Sequence, residues 1–498
     1  MTHVSDTFPD PVYRDTVLAP LFDGARTGHA HALRQVDKAH LVMLAETGIL
    51  TPAQAGAIAG GLRAVWAATD PAAMRYGGDV EDFFFAMEKA LKARIGPDLG
   101  GRLHTARSRN DIDHTLFRLA LKPRVEAALA EGRAALAQLL ATAGREAETL
   151  IVAYTHGQPA QPTTLGHYLA AVAEVMLRDL ARLEAALEIV DRCPLGAAAI
   201  TTTGFPTDRH RVAQLLGFAA PLQNSYGCIA TVDYISATYS ALSLLFLHLG
   251  RPVQDLQFWS SFEVGQIRLP GGLVQISSIM PQKRNPVAIE HLRHLASQTW
   301  ARSNAVLDIL HNTPFTDMND SEGETQDFGH QAFDAALRSL RLFGRVMAAL
   351  QVDGARVARN LRLSCATVTE LADMLVREAG LPFRAAHEIA SEVAGAVVAA
   401  GEDLSSGGYP HFCRAYEAAT GQAPEMDAAA FAQATSAAHF VALRDRFGGP
   451  APAALQPALA GYGAELQALE NRAAVRAAQA RAAAEALEQS FNQLSGGA

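Results

Sequence analysis

Cysteine is scarce in this 498-residue chain, and the positions of its four cysteines exclude several kinds of site. Cys193, Cys228, Cys365 and Cys413 lie far apart, and none belongs to a Cys-x-x-Cys pair or to a Cys/His ligand spacing. A structural zinc site is therefore not expected, and scattered thiols are typical of a reduced cytoplasmic protein. A glycine-rich phosphate loop after a strand is also missing, so nothing indicates nucleotide binding.

Long apolar runs and basic clusters are missing as well. The most apolar stretch, Ala241 to Gly250, is too short for a membrane span and is broken by Ser243 and His248. Residues 1–10 carry acids and prolines and lack the apolar core of a signal peptide. The net charge is −9 without a dense lysine and arginine block, which argues against nucleic acid or an anionic membrane as the main partner. An anionic small substrate stays compatible, because a site can be locally positive on an acidic protein.

The apolar residues that are present follow helical patterns. They make up 49% of the chain, and charged residues make up 19%, as in a globular protein. Leucines and other apolar residues recur at spacings of three and four between 169 and 187, which predicts one face of a long helix. The segment Asp233 to Leu249 is apolar nearly all round, which predicts a helix buried on every side, by other subunits as well as its own. The alanine-rich segment Arg472 to Gln489 predicts a peripheral helix.

Three polar segments, far apart in the sequence, carry side chains suited to chemistry on an acidic substrate. They are His104–Asp111, Tyr154–Pro162 and Ser277–Pro286, the last reading Ser-Ser-Ile-Met-Pro-Gln-Lys-Arg-Asn-Pro behind a loose Pro-Gly-Gly. Taken singly, each has an ordinary interpretation. The first fits a helix-capping turn with solvated arginines, the second a proline-bounded loop whose histidine is satisfied in the core, and the third a polar surface loop leading into a helix. The third segment could also fold over a substrate and present a serine to it.

Together the three segments resemble the signatures of the fumarase/aspartase superfamily, and they are most similar to its argininosuccinate lyase branch. The third segment matches Gly-Ser-Ser-x-Met-Pro-x-Lys-x-Asn-Pro at every fixed position except the first, where Ile276 replaces glycine. The second resembles Tyr-Thr-His-Leu-Gln-x-Ala-Gln-Pro, with Gly157 for leucine. The first resembles His-Thr-Gly-Arg-Ser-Arg-Asn-Asp, with Ala106 for glycine. The similarity extends over nearly the whole chain.

This resemblance implies an all-α fold of three domains, which we place at residues 1–105, 106–360 and 361–498. The middle domain is expected to supply five long helices to the central bundle of a homotetramer. Each active site would gather the three segments from three different subunits. The implied reaction eliminates an amine from an N-substituted aspartate and releases fumarate, without a metal ion or an organic cofactor. The expected partners are therefore a small dicarboxylate substrate and further copies of the chain.

The resemblance also implies roles for individual residues. Ser277 is the implied base, which takes the proton as an alkoxide and needs nearby donors, loop closure and exclusion of water to do so. His156 is implied to position or protonate the leaving group. Lys283, the third catalytic residue, and Asn285 are implied to hold the carboxylate whose negative charge grows during proton removal, and Arg109 offers a planar fork to a second carboxylate. The other implied substrate contacts are Ser108, Asn110, Thr155, Gln158, Ser278 and Met280.

Several features of argininosuccinate lyases are missing where the leaving amine should bind. The branch's Glu-Asp-Ile-His-x-Ala-Asn appears here as Glu-Asp-Phe-Phe-Phe-Ala-Met, so that Phe84 and Met87 replace histidine and asparagine. Its Gln-Glu-Asp after the signature helix is absent from Asn319 to Gln326. Apolar side chains make poor partners for a guanidinium, since a buried unpaired cation is costly. The pattern is more similar to that of ethylenediaminedisuccinate lyases, which split an aminopolycarboxylic acid into fumarate and an N-substituted diamine.

The sequence thus favours a carbon–nitrogen lyase that acts reversibly on an N-(aminoalkyl)aspartate such as ethylenediaminedisuccinate. An argininosuccinate lyase is the alternative. A structural protein without activity, like the lens crystallins of this branch, is a third hypothesis from a different class. The presence of Ser277, His156 and Lys283 speaks against that third hypothesis.

Overall fold

The computed structural model describes residues 7–494, and most of them are helical, which confirms the predicted all-α class. The first helices are α1 (Pro11–Tyr13), α2 (Ala19–Gly28), α3 (Ala30–Glu46), α4 (Pro52–Ala68), α5 (Phe83–Ile95) and α6 (Pro97–Gly101), with a π-helical turn at Arg14–Leu18 and a 3-10 turn at Arg102–His104. The middle of the chain contains α7 (Arg109–Arg145), α8 (Leu165–Val190), α9 (Arg209–Leu215), α10 (Ser225–Ala230), α11 (Asp233–Trp259), α12 (Val287–Leu310) and α13 (Gly323–Ala349), with 3-10 turns at Gly271–Leu273 and Asn319–Ser321. The last helices are α14 (Gly354–Leu363), α15 (Val368–Arg377), α16 (Phe383–Ala400), α17 (Leu404–Gly407), α18 (Tyr409–Thr420), α19 (Ala428–Ala434), α20 (Ala437–Ala442) and α21 (Pro452–Gln493).

Five long helices, α7, α8, α11, α12 and α13, form a closed ring in which each packs against two of the others. Their common core is made of aliphatic and aromatic side chains, among them Leu180, Leu292 and Phe343. Helices α7 and α8 approach closely, since a Cβ on Gly132 would lie 2.4 Å from a methyl carbon of Leu180. The helix predicted from the spacing between 169 and 187 is α8, whose leucines point into this ring. The ring provides the rigid frame on which the polar segments are mounted.

Helix α11 contains the segment Asp233 to Leu249, for which the sequence predicts burial on every side. Within the single chain one face of this helix remains open, because Leu244 is 38% exposed and Leu247 is 48% exposed. On the neighbouring α12, Trp300 is 44% exposed. Burial on every side is therefore not achieved by one copy of the chain.

Two further apolar cores flank the ring. One is built by α3, α4 and α5 together with the segment around α9, and the other by α15, α16, α18 and α19. Helix α21 packs along α7 and α8 and also contacts α3 and α9. It extends over 42 residues, about 60 Å at 1.5 Å per residue, and is thus much longer than the predicted segment Arg472 to Gln489. Arg476 on this helix binds Glu126 on α7 at 2.7 Å and Glu184 on α8 at 2.6 Å, and its Phe491 is buried in the first core.

The strands in residues 7–494 are short and pair into two-stranded sheets. They are β1 (Leu150–Thr155), β2 (Gln158–Thr164), β3 (Arg192–Cys193), β4 (Ala220–Pro221), β5 (Ile267–Arg268), β6 (Gln275–Ile276), β7 (Arg284–Asn285) and β8 (Gln351–Val352). Pairing is antiparallel for β1 with β2, β5 with β8 and β6 with β7, and parallel for β3 with β4. Two of these sheets, β1–β2 and β6–β7, are hairpins that carry predicted site residues.

Three further properties of the described chain bear on function. All four cysteines are free. No helix among residues 7–494 combines the length and the apolar character that crossing a membrane requires. In the same residues, no group of three histidine, cysteine, aspartate or glutamate side chains is placed to hold a metal ion.

Candidate active site

The first polar segment ends at the start of α7, where Ser108 is the N-cap residue. The N–H of Ser108 donates to Asp111 Oδ1 at 2.8 Å. Asp111 Oδ2 in turn accepts the N–H groups of Gly196 at 2.8 Å and Ala198 at 2.9 Å. Burial of this carboxyl raises the pKa of Asp111 to about 6. Asp111 therefore fixes the turn before α7 to the loop after β3, and this fixes the positions of residues 108–110.

The same turn is held from behind by α3. A buried ion pair joins Arg107 Nη1 to Asp37 Oδ1 at 2.8 Å, and His40 Nε2 lies 2.9 Å from the Thr105 carbonyl oxygen. Between these anchors Ala106 has a φ of +65°. A left-handed conformation costs a residue with a Cβ about 1 kcal/mol, which explains why the resembling signature has glycine here.

The predicted carboxylate contacts of this segment have different partners. Ser108 Oγ donates to Asn110 Oδ1 at 3.2 Å, and Asn110 Nδ2 donates to the Ala199 carbonyl oxygen at 3.2 Å. Arg109 Nη1 donates to Glu81 Oε1 at 2.6 Å and to Asp82 Oδ2 at 3.4 Å. The guanidinium that was expected to hold a substrate carboxylate is thus already paired with carboxylates of its own chain.

Arg109 lies in the wall of a cavity of about 180 Å³. The cavity is enclosed by α2, by the starts of α3, α5 and α7, and by the N-terminal end of α13. Its polar lining consists of His29, Glu81, Asp82, Arg109, Asp113, Asn319 and Glu322, and its aromatic lining of Tyr13, Phe83, Phe84 and Phe117. Of the two apolar replacements noted in the sequence, Phe84 lines this cavity, whereas Met87 is buried in the first core.

The second polar segment forms the tip of the β1–β2 hairpin and is not a proline-bounded loop packed into the core. Thr155 pairs with Gln158, and the two residues between them both have positive φ, +53° at His156 and +74° at Gly157. Two consecutive left-handed residues define a type I′ turn, which matches the twist of a hairpin and favours glycine. This explains the glycine where the resembling signature has leucine. Thr155, His156 and Gln158 are all exposed at the tip.

The third polar segment forms a small flap, residues 275–285, ahead of α12. Gln275 pairs with Asn285 and Ile276 with Arg284, so the turn between these strands presents Ser277 to Lys283. Ser277 Oγ accepts the N–H of Met280 at 3.1 Å and, more weakly, that of Ile279 at 3.4 Å. Arg284 Nη2 fixes the base of the flap by donating to the Leu269 carbonyl oxygen at 3.1 Å. Backbone N–H donors favour a negative charge on an oxygen that accepts them.

The remaining predicted residues of the flap are accessible. Ser278, Met280 and Lys283 are exposed, and Asn285 is partly exposed in β7. Pro270, Gly271 and Gly272 precede the flap as part of a short 3-10 turn, and neither glycine has a neighbour within 4 Å of the place where a Cβ would stand. Those open surroundings leave room for the flap to move, which is the role that the sequence predicts for this segment.

A single chain does not bring the three segments together. Within residues 7–494, no hydrogen bond or ion pair connects any two of them, and the cavity at Arg109 contains no residue of the hairpin tip or of the flap. The hairpin tip and most of the flap are exposed, whereas Arg107 and Asp111 of the first segment are buried.

Sequence reasoning missed several members of the cavity, namely His29, Asp113 and Glu322. Asp113 had a usable signal, because it lies one helical turn after Arg109 and so shares its face of α7. Glu322 and His29 had none, since their proximity depends on how α13 and α2 pack against α7. Glu81 and Asp82 were noted as retained acids, but their contact with Arg109 was not foreseen.

Comparison with known proteins identifies the family to which this sequence is similar. The sequence matches the model of a family described as Lyase over residues 28–300, and that of the argininosuccinate lyase C-terminal family over residues 365–441. Argininosuccinate lyase 2 of Agrobacterium fabrum (strain C58 / ATCC 33970) is 58% identical over 99% of this chain and 98% of its own length. Argininosuccinate lyase of Hahella chejuensis (strain KCTC 2396) is 36% identical over 74% of this chain and 78% of its own length.

The fold is also found in a solved structure of a related enzyme. A variant of EDDS lyase with bound fumarate superposes with a TM-score of 0.85, covering 99% of this chain and 97% of its own, at 28% sequence identity. The helical ring and the flanking cores are therefore those of an enzyme whose structure holds fumarate.

Proposed function

This chain belongs to the argininosuccinate lyase branch of the fumarase/aspartase superfamily and is a carbon–nitrogen lyase that releases fumarate, and from that premise we propose that its substrate is an N-(aminoalkyl)aspartate such as ethylenediaminedisuccinate. The observation that carries the proposal is the contrast between two halves of the site. The flap retains a serine held by backbone donors beside a lysine, whereas the amine half around Arg109 is lined by acids.

Ser277 is the base in this mechanism. It removes the proton from the carbon next to a carboxylate, and the electron pair left behind forms the double bond of fumarate as the carbon–nitrogen bond breaks. The N–H groups of Met280 and Ile279 stabilise the alkoxide that must exist before proton removal. His156 protonates the departing nitrogen, so that the amine leaves neutral.

The flap and the hairpin tip hold the two carboxylates of the aspartate half. Lys283 and Asn285 bind the carboxylate that gains charge as the proton leaves, with Ser278 and Met280 beside them. Thr155, Ser108 and Asn110 bind the other carboxylate, and Gln158 lies at the end of the hairpin next to Thr155. Closure of the flap about Gly271 and Gly272 excludes water from the site.

A homotetramer with shared sites accounts for the exposed surfaces of the chain. The open apolar face of α11 and α12, with Leu244, Leu247 and Trp300, is of the kind that another subunit covers. In such an assembly, neighbouring subunits supply the segments that complete each site. The four free cysteines are in keeping with a reducing cytoplasmic location.

An argininosuccinate lyase is the second candidate, favoured by the 58% identity to a protein of that name. Its guanidinium leaving group could also bind among acids. A structural protein without activity finds no support, because the relatives reported above are lyases.

The decisive experiment is a substrate panel that contains argininosuccinate, ethylenediaminedisuccinate and N-(2-aminoethyl)aspartate, followed by the ultraviolet absorbance of fumarate. Release of fumarate from the two diamine-derived substrates, with a much lower kcat/KM for argininosuccinate, is the expected result. The reverse order, together with growth of an arginine auxotroph that carries this gene, would establish the second candidate. Absence of fumarate from every N-substituted aspartate would exclude both.

A further inference from the structure

The wall of the cavity at Arg109 contains more acidic than basic side chains. Four carboxylates, Glu81, Asp82, Asp113 and Glu322, line it together with one guanidinium. Arg109 binds Glu81 and Asp82 directly, whereas Asp113 Oδ2 lies 3.7 Å from Arg109 Nε, beyond hydrogen-bonding distance. Within the described residues, neither Asp113 nor Glu322 accepts a hydrogen bond through its side chain. Asp113 therefore shares Arg109 with Glu81 and Asp82, and within the described residues Glu322 has no ion-pair partner.

Burial and neighbouring acids change the pKa of both Asp113 and Glu322. Burial raises the pKa of Asp113 well above its ordinary value, and the carboxylates of Asp82 and Glu322 add to that rise. Burial, followed by the neighbouring Asp317, also raises the pKa of Glu322. An added cation would relieve this repulsion, whereas an added carboxylate would increase it.

His29 is an independent sign that a ligand belongs in this cavity. Its side chain lines the cavity and the residue is only 3% exposed, yet neither ring nitrogen has a hydrogen-bond partner. Burial lowers the pKa of His29 to about 4, so the ring is neutral at physiological pH and offers an acceptor nitrogen. Buried polar atoms without a partner are costly and uncommon. A ligand with N–H groups would satisfy this one.

The chemistry of the ligand follows from these groups. Within residues 7–494, no three acidic, histidine or cysteine side chains are placed to surround a metal ion. An alkylammonium group has no need of such a shell, because it can bind two separated carboxylates through different N–H bonds. Its carbon chain would also contact the aromatic wall formed by Phe83, Phe84 and Phe117.

We propose that this cavity binds a second ammonium group carried by the leaving amine, so that the enzyme selects diamine-derived N-substituted aspartates without a distal carboxylate. The inference rests on the proposed function and narrows it. N-(2-aminoethyl)aspartate is then a better substrate than ethylenediaminedisuccinate, whose distal succinyl group brings two more carboxylates to an acidic wall.

The dimensions agree with a short diamine. Asp113 lies one helical turn from Arg109, about 6 Å along α7, and Arg109 stands between the predicted carboxylate contacts Ser108 and Asn110. The two nitrogens of a diamine with two to four carbons are about 4 to 6 Å apart. The proposal places the second ammonium, at that distance from the reacting nitrogen, against Asp113 and Glu322.

The test uses the reverse reaction, in which fumarate is consumed by an added amine. Propylamine, β-alanine and 1,3-diaminopropane share a three-carbon length and end in a methyl group, a carboxylate and an ammonium. We expect kcat/KM for the diamine to exceed that for propylamine by about tenfold or more, since a hydrogen bond to a charged group contributes on this scale, and β-alanine to be the poorest of the three. Equal values for the diamine and propylamine would overturn the inference and leave the lyase function intact. If no amine consumes fumarate and no N-substituted aspartate releases it, the proposed function itself fails, and this inference fails with it.

Substitutions in the cavity wall test whether the cavity causes the preference for a diamine. Glu322→Gln keeps the shape of the side chain at the start of α13 and should raise KM for the diamine by about tenfold with little change for propylamine. Glu324→Gln is the matched control, since Glu324 is exposed on the first turn of the same helix and does not line the cavity. Circular dichroism checks that both variants are folded. The comparison of the three amines with the wild-type enzyme does not depend on either variant. An unchanged diamine KM in folded Glu322→Gln would contradict the assignment.

Discussion

At the scale of single residues, the most consequential contact is the one that Ser277 makes with its own flap. A serine hydroxyl is a far weaker acid than water-exposed catalytic groups such as histidine, and it can act as a base only if its alkoxide is stabilised. The backbone N–H of Met280, 3.1 Å from Oγ, supplies one such donor already in the isolated chain. Lys283, three residues further on, adds a positive charge to the same turn. In the proposed mechanism the flap is therefore a part of the base and not only a cover for the site.

Ser277→Ala removes the base and keeps the flap's backbone. We expect the rate of fumarate release to fall by about 10³-fold, within the range for loss of a general base, while the melting temperature stays close to that of the wild type. Ser364→Ala is a suitable control, because Ser364 caps α14 through a bond to Leu361 and belongs to none of the three polar segments. Equal loss of activity in both variants, or none in Ser277→Ala, would show that another group takes the proton.

His29 makes the stability of the protein depend on pH. Burial lowers its pKa from 6.5 in the unfolded chain to about 4 in the folded one, so the unfolded state binds more protons between these values. Stability is then complete above about pH 6.5 and is lost as the pH falls towards 4, by about 1.4 kcal/mol for each unit. His29→Leu removes this titration without removing a hydrogen bond, because neither ring nitrogen has a partner.

Thermal unfolding of wild type and His29→Leu at pH 7.5 and pH 5 measures this effect. The wild type should lose about 2 kcal/mol more than the variant between the two conditions. Parallel losses in the two proteins would show that His29 does not carry the pH dependence. His40 lies in the same part of the molecule and also has a lowered pKa because of burial, but it titrates equally in both proteins and cancels in the difference.

At the scale of secondary-structure elements, the sequence predicts the long helices well and the hairpins poorly. Apolar spacing locates α8, because a helix with one buried face must repeat every three or four residues, and the nearly continuous apolar character of Asp233 to Leu249 locates most of α11. The same reasoning does not predict the β1–β2 hairpin. Pro159 and Pro162 argue for a loop, yet a two-stranded ribbon has free edges where proline is tolerated. The flap strands are only two residues long and leave no periodic signal.

The turn of the β1–β2 hairpin offers a test of how precisely the tip must be held. Gly157 has a φ of +74° and no neighbour within 4 Å, so Gly157→Ala adds backbone strain without a steric clash. The strain should cost about 1 kcal/mol and lower kcat/KM by about fivefold, since His156 is the other residue of the turn and Thr155 directly precedes it. Gly144→Ala within α7 is the control, because that glycine has no close neighbour and no positive φ. A drop in melting temperature without a drop in activity would show that the tip does not contribute to catalysis.

At the scale of the whole molecule, the three polar segments lie on different elements of one helical frame. The resemblance to a known family predicts that the three segments belong to one site. No local sequence pattern, however, predicts which parts of the folded chain lie next to each other. The pairing of Arg109 with Glu81 and Asp82 depends on the packing of α5 against the start of α7, and the position of Glu322 depends on α13. These contacts join residues more than 25 positions apart in the sequence, 28 for Arg109 with Glu81, and so lie beyond periodicity and spacing. The acidic character of the amine pocket could be learned only from the fold.

Sharing of active sites between subunits predicts that two inactive variants can restore activity when mixed. Ser277→Ala and His156→Ala each lack one group of the site, and a site built from different subunits can receive an intact serine from one chain and an intact histidine from another. After co-refolding of equal amounts into a homotetramer, about a quarter of the sites should contain both groups, since each is intact with a probability of one half. Fumarate release should then recover to about a quarter of the wild-type rate, whereas each variant refolded alone stays inactive.

If both groups of a site came from one chain, every site in the mixture would remain defective and no activity would return. Recovery in the mixture, measured with gel filtration to confirm the assembly, would therefore establish both the homotetramer and its division of the catalytic residues.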